Sequence, residues 1–253
     1  MAAASGTLRR SGPTHRGLRN LGLVAIFAFG AWVQATGLIH AMLSQWDDIL
    51  YLGKQHLELV GISWILAVAV GIPLGVLLTR RSVRRNSETI LQVVNTGQTI
   101  PTLAVLALSM SVLGIGFWPS IFGLWIYSLL PIVRNTYQGI LAVPGHLQEA
   151  AVGMGMTPPQ ILWRVELPNA LFVIFAGMRT ALAINVGTAP LAFLIGGGGL
   201  GELIFTGIAL DQQTMMLAGA IPVALLAVIL DFMIGLVQFW LVPKGVNPLR
   251  GSR

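Results

Sequence analysis

Few residues of this chain have the type and spacing that enzyme catalysis requires. Its four histidines, His15, His40, His56 and His146, are scattered, and none forms the His-Glu-x-x-His spacing of a catalytic zinc site. No serine lies in a Gly-x-Ser-x-Gly context, and the chain has no cysteine to act as nucleophile or metal ligand. The sequence therefore predicts no catalytic residue, no metal site and no cofactor.

The glycine-rich run at residues 196–201 invites comparison with a phosphate-binding loop. It contains no Gly-Lys-Ser/Thr, and the pair Gly53-Lys54 elsewhere in the chain is followed by Gln55. The chain thus lacks a nucleotide-binding motif.

Two charged residues stand inside long apolar stretches. Arg179 lies 11 residues beyond Pro168, which is roughly 16 Å along a helix, and Asp231 lies 10 residues before Leu241, roughly 15 Å. Matched depth on consecutive antiparallel helices predicts an ion pair, because isolated charges inside a membrane are costly and usually find partners. The alternative is that Arg179 bonds to backbone carbonyls while Asp231 faces a wet cavity.

Uncharged polar residues recur in a third apolar stretch. Asn95, Gln98, Thr99 and Thr102 are spaced three or four residues apart and are expected to share one helix face, in the segment that also contains Pro101. Such residues line a water-filled path or form hydrogen bonds between helices. Both interpretations stay open at this point.

One long connection between apolar segments, residues 140–169, has structure of its own. A short helix is expected after Pro144 and a turn at Gly155, and a second helix is expected from Thr157, with Pro158 at the first helical position. Pro168 fits the start of the next membrane helix. The loop carries, in order, Glu149, Ala150, Ala151, Gly155, Val165, Leu167 and Pro168.

The elements that hold these residues are membrane helices. Of the 253 residues, 55% are hydrophobic and 9% are charged, against about 25% charged in an ordinary soluble domain. The formal charge of +6 arises mainly from residues that flank apolar segments, so it indicates membrane orientation and not nucleic-acid binding. The predicted surroundings of the chain are lipid.

Six apolar segments reach the roughly 20 residues that a membrane helix needs. They are residues 21–39, 57–79, 89–113, 117–139, 170–194 and 215–241. The first is longer than a signal-peptide core and lacks a cleavage site, so we interpret it as a retained helix. The predicted fold class is an all-α, polytopic membrane protein with six transmembrane helices.

Lysine and arginine residues near the span ends predict the orientation. The basic positions are Arg9, Arg10, Arg16 and Arg19 before the first span, Arg80, Arg81, Arg84 and Arg85 after the second, Arg164 after the fourth, and Lys244, Arg250 and Arg253 at the C-terminus. The alternate loops carry only Lys54. Both termini are therefore expected on the cytoplasmic side of the membrane.

The loop at residues 140–169 resembles the EAA loop of binding-protein-dependent ABC importer permeases, written EAA-x3-G-x9-I-x-LP, with Val165 in place of the Ile. This resemblance implies that Glu149, Ala150, Ala151, Gly155, Leu167 and Pro168 couple the permease to ATPase subunits. Small alanines would let the first helix enter a groove of the partner, and the charge of Glu149 would suit the helix start and a basic partner group.

Other segments are similar to the osmoprotectant branch of this family, which serves glycine betaine, choline and carnitine. They are residues 95–102, 114–116, 131–136, 187–189 and 195–201. The resemblance implies a permease core of the MetI-like type at residues 55–241, with the coupling loop at 145–168. Outside this core are a basic tail (1–18), an additional span (19–40) and a C-terminal tail (242–253).

The implied partners are cytoplasmic ABC ATPase subunits, a second permease subunit that is identical or similar, an extracytoplasmic solute-binding protein, and membrane lipid. Two alternatives stay open. One is an importer of the same architecture for methionine or another amino acid. The other is a secondary transporter that works without ATP, although the inverted repeats common in such carriers are not evident in the sequence.

Overall fold

The structure, a computed structural model, describes residues 27, 34, 37–80, 83–243 and 245–246, and these residues form helices and turns with no strand among them. The predicted basic tail at 1–18, most of the predicted first span and most of the C-terminal tail lie outside the described residues. The helices are α1 (Leu38–Ser44), α2 (Trp46–Thr79), α3 (Arg84–Thr99), α4 (Thr102–Leu113), α5 (Phe117–Leu141), α6 (Gly145–Gly153), α7 (Pro158–Ile161), α8 (Leu167–Thr188), α9 (Gly201–Ala209) and α10 (Gln213–Leu241).

In the described ranges, four helical segments are long and apolar enough to cross a membrane. A fifth arises if α3 and α4, which are bent by 92° to each other, count as one span. The all-helical membrane architecture agrees with the sequence prediction, whereas the number six stays a prediction.

The helix α2 begins earlier than the apolar pattern predicted, at Trp46 and not near residue 57. Its first turn contains Asp47 and Asp48, whose negative charges suit the positive end of the helix dipole. Hydropathy detects only the part of a helix that matches the bilayer, so it missed these polar opening turns.

The central helix of the bundle is α5, which packs on α2, α4 and α8. Of its membrane-length segment 56% is buried, against 6% for α10 at the edge of the bundle. Glycines allow the close contacts: a Cβ on Gly75 of α2 would lie 2.6 Å from Thr136 Cβ, and one on Gly177 of α8 would lie 2.5 Å from Asn135 Cβ. Small residues at helix contacts are typical of membrane bundles.

The predicted third span is broken. The helix α3 ends at Thr99, Ile100 has an extended backbone (φ −75°, ψ 127°), and α4 begins at Thr102. Pro101 explains the break, because a proline lacks the N–H for the helix ladder and disfavours helical geometry in the residue before it.

At the end of α8 the backbone tightens into a 3-10 helix, Ala189–Ile195, with Pro190 in its first turn. The glycine run then turns back toward α9, with positive φ at Gly196, Gly198 and Gly199. The Gly199 N–H donates to Gln55 Oε1 on α2 over 3.1 Å, which fixes the turn to the end of the bundle opposite α6.

Candidate functional site

The loop that connects α5 to α8, residues 145–168, is called the EAA loop below. Its first helix, α6, follows Pro144, and its second, α7, follows Thr157. The Thr157 N–H donates to Gln160 Oε1 over 2.8 Å, which is one half of the expected capping box. A helix, a turn and a second helix therefore stand where the sequence pattern predicted them.

The turn between α6 and α7 depends on Gly155. Its φ is +75°, and a Cβ built there would meet no atom within 4 Å. The Gly155 N–H donates to Val152 O and the Met156 N–H donates to Ala151 O, so the last carbonyls of α6 are satisfied. Glycine is required here by backbone geometry and not by crowding.

The two alanines of the loop face different ways. Glu149 and Ala150 are exposed, as are Val152 and Met154 close by, whereas Ala151 is only 1% exposed. The interpretation that both alanines offer close approach to a partner is therefore wrong for Ala151, which is buried inside this chain. A helix that packs on its own subunit must bury one side, and Ala151 lies on that side.

Leu167 and Pro168 do not open a separate membrane helix. The chain is helical without a break from Pro158 through a π-helical segment, Leu162–Glu166, into α8. Pro168 lies in the first turn of α8, as expected, but the helix also continues upstream of it, and the start of the fifth span at Pro168 stays a prediction. Wider hydrogen bonding in the π segment accommodates the missing proline N–H, and the side chain of Asn169 donates to Val165 O over 2.7 Å.

An ion pair joins the EAA loop to α2. Arg80, directly after α2, lies with its Nη2 2.5 Å from Glu166 Oε2, and the Glu166 side chain is only 11% exposed. Arg80 Nε also donates to Thr79 Oγ1 and Val76 O. A cavity of about 840 Å³ opens beside the pair, bordered by α6, α7 and the end of α5.

The four polar residues of the predicted third span do not share one helix face. Asn95 and Thr99 lie on α3, while Thr102 begins α4 beyond the break. The side chain of Gln98 lies outside the described part of the structure. The hydroxyl of Thr99 donates to Thr96 O on its own helix.

Arg179 and Asp231 lie in direct contact. Arg179 Nε is 2.8 Å from Asp231 Oδ1, and Nη2 is 2.6 Å from Oδ2, so the two side chains form a bidentate pair between α8 and α10. Gln238, about two turns beyond Asp231 on the same face of α10, accepts from Arg179 Nη1 over 3.4 Å. The pair borders a cavity of about 370 Å³.

Sequence reasoning missed Glu166, the partnership of Arg80 and the contribution of Gln238. The sequence pattern indicates only an orientation charge at Arg80. Glu166 lies 86 residues away in sequence, and nothing local connects the two. The available signal was an acidic residue placed beside Leu167-Pro168 in a loop rich in apolar residues.

In the described part of the chain, no group of three or more His, Cys, Asp or Glu residues is placed to hold a metal ion.

Comparison with known proteins gives a consistent family. Residues 71–243 match the family described as the binding-protein-dependent transport system inner membrane component. The chain is 50% identical over 209 residues to an osmoprotectant import permease protein of Salmonella typhimurium, which covers 83% of this chain and 86% of that protein. It is 42% identical over 213 residues to a choline transport system permease protein of Bacillus subtilis, with 84% and 97% covered.

The fold is also found among solved structures. The chain is similar to the MetNI methionine ABC transporter in inward-facing conformations, with a TM-score of 0.64, 26% sequence identity, and 79% of this chain and 96% of that chain covered. The predicted all-α, MetI-like permease fold is thereby confirmed. Because the family model spans most of the chain and the relatives agree with it, this protein belongs to the family of binding-protein-dependent transport system inner membrane components.

Proposed function

We propose that the chain forms the translocation pathway of an ATP-driven importer for a small compatible solute with a quaternary ammonium group, such as glycine betaine, choline or carnitine. The observation that carries this proposal is 40–50% identity to several permeases named for osmoprotectant import or for these solutes, over about four fifths of the chain. A permease component of this family is a transport subunit and not itself catalytic.

The EAA loop is the proposed docking element for the ATPase subunits. Its outward side combines the carboxylate of Glu149 with the small Ala150 and the exposed apolar side chains of Val152 and Met154. Exposed apolar side chains gathered on a loop are typical of a surface that another protein covers. Glu149 would pair with a basic group of the ATPase, and Gly155 would hold the shape of the surface.

Movement of this loop has two routes into the membrane part. Because α7, the π segment and α8 are one continuous helix, a displacement of α7 also moves α8. The Arg80–Glu166 pair links the same segment to the end of α2. Leu167 and Pro168 lie at the point where these two routes meet, which gives their place in the family motif a mechanical meaning.

We propose the predicted orientation as well, with both termini and the EAA loop in the cytoplasm and the glycine-rich turn outside. In this arrangement a solute-binding protein delivers solute at the outer end, and a second permease, identical or related, completes the pathway. Asn95, Gln98, Thr99 and Thr102 remain candidates for lining it. The core at 55–241 would act together with the additional span at 19–40.

The test is uptake by the complete importer. The permease, its ATPase and its binding protein would be reconstituted in liposomes and supplied with radiolabelled glycine betaine, choline, carnitine or methionine. We expect uptake of at least one of the three quaternary ammonium compounds that requires both ATP and the binding protein. Uptake of methionine alone, or uptake of any solute without ATP, would contradict the proposal.

A further inference from the structure

The cavity beside Arg179 and Asp231 is open on one side, although the two charges are paired. Their side chains are 37% and 41% exposed. The cavity, of about 370 Å³, is also lined by Gln238, Phe172, Ala176 and Thr180. The site thus offers a cation, an anion, an amide and an aromatic ring to whatever enters it.

This opening does not suit contact with lipid tails. Around it, α8 presents small or polar residues, Ala176, Thr180 and Ala183. By contrast, α10 exposes large apolar side chains at similar depth, among them Val228 and Phe232. Charged residues deep in a membrane face protein or a water-filled space, so we expect the α8 side of the pair to face protein or water and Val228 to face lipid.

The pair is held so that it can exchange partners. Gln238 bonds Arg179 from the side away from Asp231, and its Nε2 donates to Phe172 O over 3.5 Å. Gly235 of α10 lies beside the guanidinium, where an added Cβ would be in ordinary van der Waals contact with Arg179 Cζ at 3.7 Å. If Asp231 turned away, Arg179 would keep one polar partner and gain room to accept another carboxylate.

We propose that this cavity is a transit site for a solute that carries both a carboxylate and a quaternary ammonium group, which rests on the proposed function. Arg179 binds the carboxylate through its planar fork. Asp231 attracts the ammonium, with the ring of Phe172 available for a cation–π contact. The solute replaces the internal ion pair by two external ones, so no net charge is left unpaired on either helix while it passes.

The chain has no native cysteine, which allows a direct test in the complete importer. Thr180→Cys reports on the cavity, and Val228→Cys, exposed on α10, is the matched control. Each would be treated in membranes with a cationic trimethylammonium and an anionic sulfonate methanethiosulfonate reagent. We expect Thr180→Cys to react with both reagents and to be protected by glycine betaine, whereas Val228→Cys reacts with neither.

The charges of the pair should then control which reagent is favoured. In the Thr180→Cys chain, Asp231→Asn should lower the ratio of cationic to anionic labelling by about fivefold or more, and Arg179→Gln should raise it by a similar factor. The ratio of choline to betaine uptake should move in the same directions. A role of the pair in folding alone predicts losses with unchanged ratios.

No labelling of Thr180→Cys in the otherwise unchanged chain, or equal ratios in all three backgrounds, would overturn the proposal. The labelling of Thr180→Cys in the chain with both charges intact can be measured even if the charge variants fold poorly. An importer that moves neither betaine nor choline, yet keeps the charge-dependent labelling, would refute the proposed solute class while leaving a charged aqueous site in place. The two failures are therefore distinguishable.

Discussion

Arg80 and Glu166 form an ion pair between two parts of the chain that are 86 residues apart, with Arg80 Nη2 2.5 Å from Glu166 Oε2. Arg80 lies where α2 leaves the bundle, and Glu166 lies in the π segment that leads from the EAA loop into α8. This contact bonds the EAA loop to the end of α2, whereas the loop itself connects α5 and α8.

Glu166→Ala should uncouple transport from ATP hydrolysis. The change removes a charge-assisted hydrogen bond worth about 1.5–3 kcal/mol, and it leaves Arg80 tied only to Val76 O and Thr79 Oγ1 of α2. We expect ATP-driven uptake to fall several-fold while the ATPase rate of the assembled importer falls much less. Both rates can be measured in the same proteoliposomes.

The matched control is Glu58→Ala. Glu58 also pairs with a basic residue, Lys54, but across 3.9 Å and with both side chains well exposed, 78% for Lys54 and 48% for Glu58. Exposed pairs of this kind contribute about 0.3–0.5 kcal/mol. Unchanged uptake by Glu166→Ala would show that the Arg80–Glu166 pair does not couple the EAA loop to α2.

Gly155→Ala should destabilise the EAA loop, and Gly153→Ala should not. Gly155 has φ +75°, where an alanine costs about 1–2 kcal/mol. Gly153 is the last helical residue of α6 and has open space around its Cβ, so alanine there is neutral or stabilising by up to about 1 kcal/mol. The melting temperature of the importer and its rate of uptake would report the effects of both alanine variants. The bulkier change Gly155→Leu should abolish ATP-driven uptake while the permease still inserts in the membrane. Wild-type uptake by Gly155→Leu would count against the turn's role.

Local patterns predicted much of this fold. The apolar segments located α2, α5, α8 and α10, and the glycine and capping signals of the EAA loop placed its turn and second helix. These features depend on residues close together in sequence. Hydropathy could not predict the polar opening of α2 at Trp46, because it detects only the part of a helix that matches the bilayer. Pro101 accounts for the break after Thr99, but it does not set the angle of 92° between α3 and α4.

Tertiary contacts account for what the sequence could not predict. The burial of Ala151 depends on which side of α6 faces its own chain, and periodicity over nine residues does not decide this. The Arg80–Glu166 contact depends on how α2 and the π segment meet. By contrast, equal depth on consecutive helices was enough to suggest the contact between Arg179 and Asp231, since antiparallel neighbours have few ways to satisfy two opposite charges.

Single cysteines at Thr157 and Gln212 should be labelled from opposite sides of the membrane. Both residues are exposed, and they lie at opposite ends of the bundle, before α7 and before α10. An impermeant maleimide should label Gln212→Cys in intact cells and label Thr157→Cys only after the membrane is opened. The reverse pattern would overturn the proposed orientation and the docking of ATPase subunits at the EAA loop.

Gly75→Ala should destabilise the contact between α2 and α5. The added Cβ would lie 2.6 Å from Thr136 Cβ and 2.8 Å from Val133 O, so the helices would have to move apart. Overpacking of this kind costs about 1–3 kcal/mol. Gly61→Ala on the same helix meets no atom within 4 Å and is the control. A lower melting temperature is expected for Gly75→Ala alone; equal melting temperatures would show that α2 does not approach α5 this closely.

Removing both charges of the Arg179–Asp231 pair should harm the folded importer less than removing either one. Arg179→Gln leaves Asp231 without its bidentate partner, and Asp231→Asn leaves Arg179 with only the 3.4 Å bond to Gln238. Because the side chains of Arg179 and Asp231 are 37% and 41% exposed, an unpaired charge here costs less than the roughly 2.5–3.5 kcal/mol of one at mid-bilayer, but breaking a pair is still worse than replacing it. The melting temperatures of the two single variants and the double variant complete the cycle. If the double variant's loss equals the sum of the two single losses, the charges do not interact, because coupling between them is what makes the second change cheaper than the first.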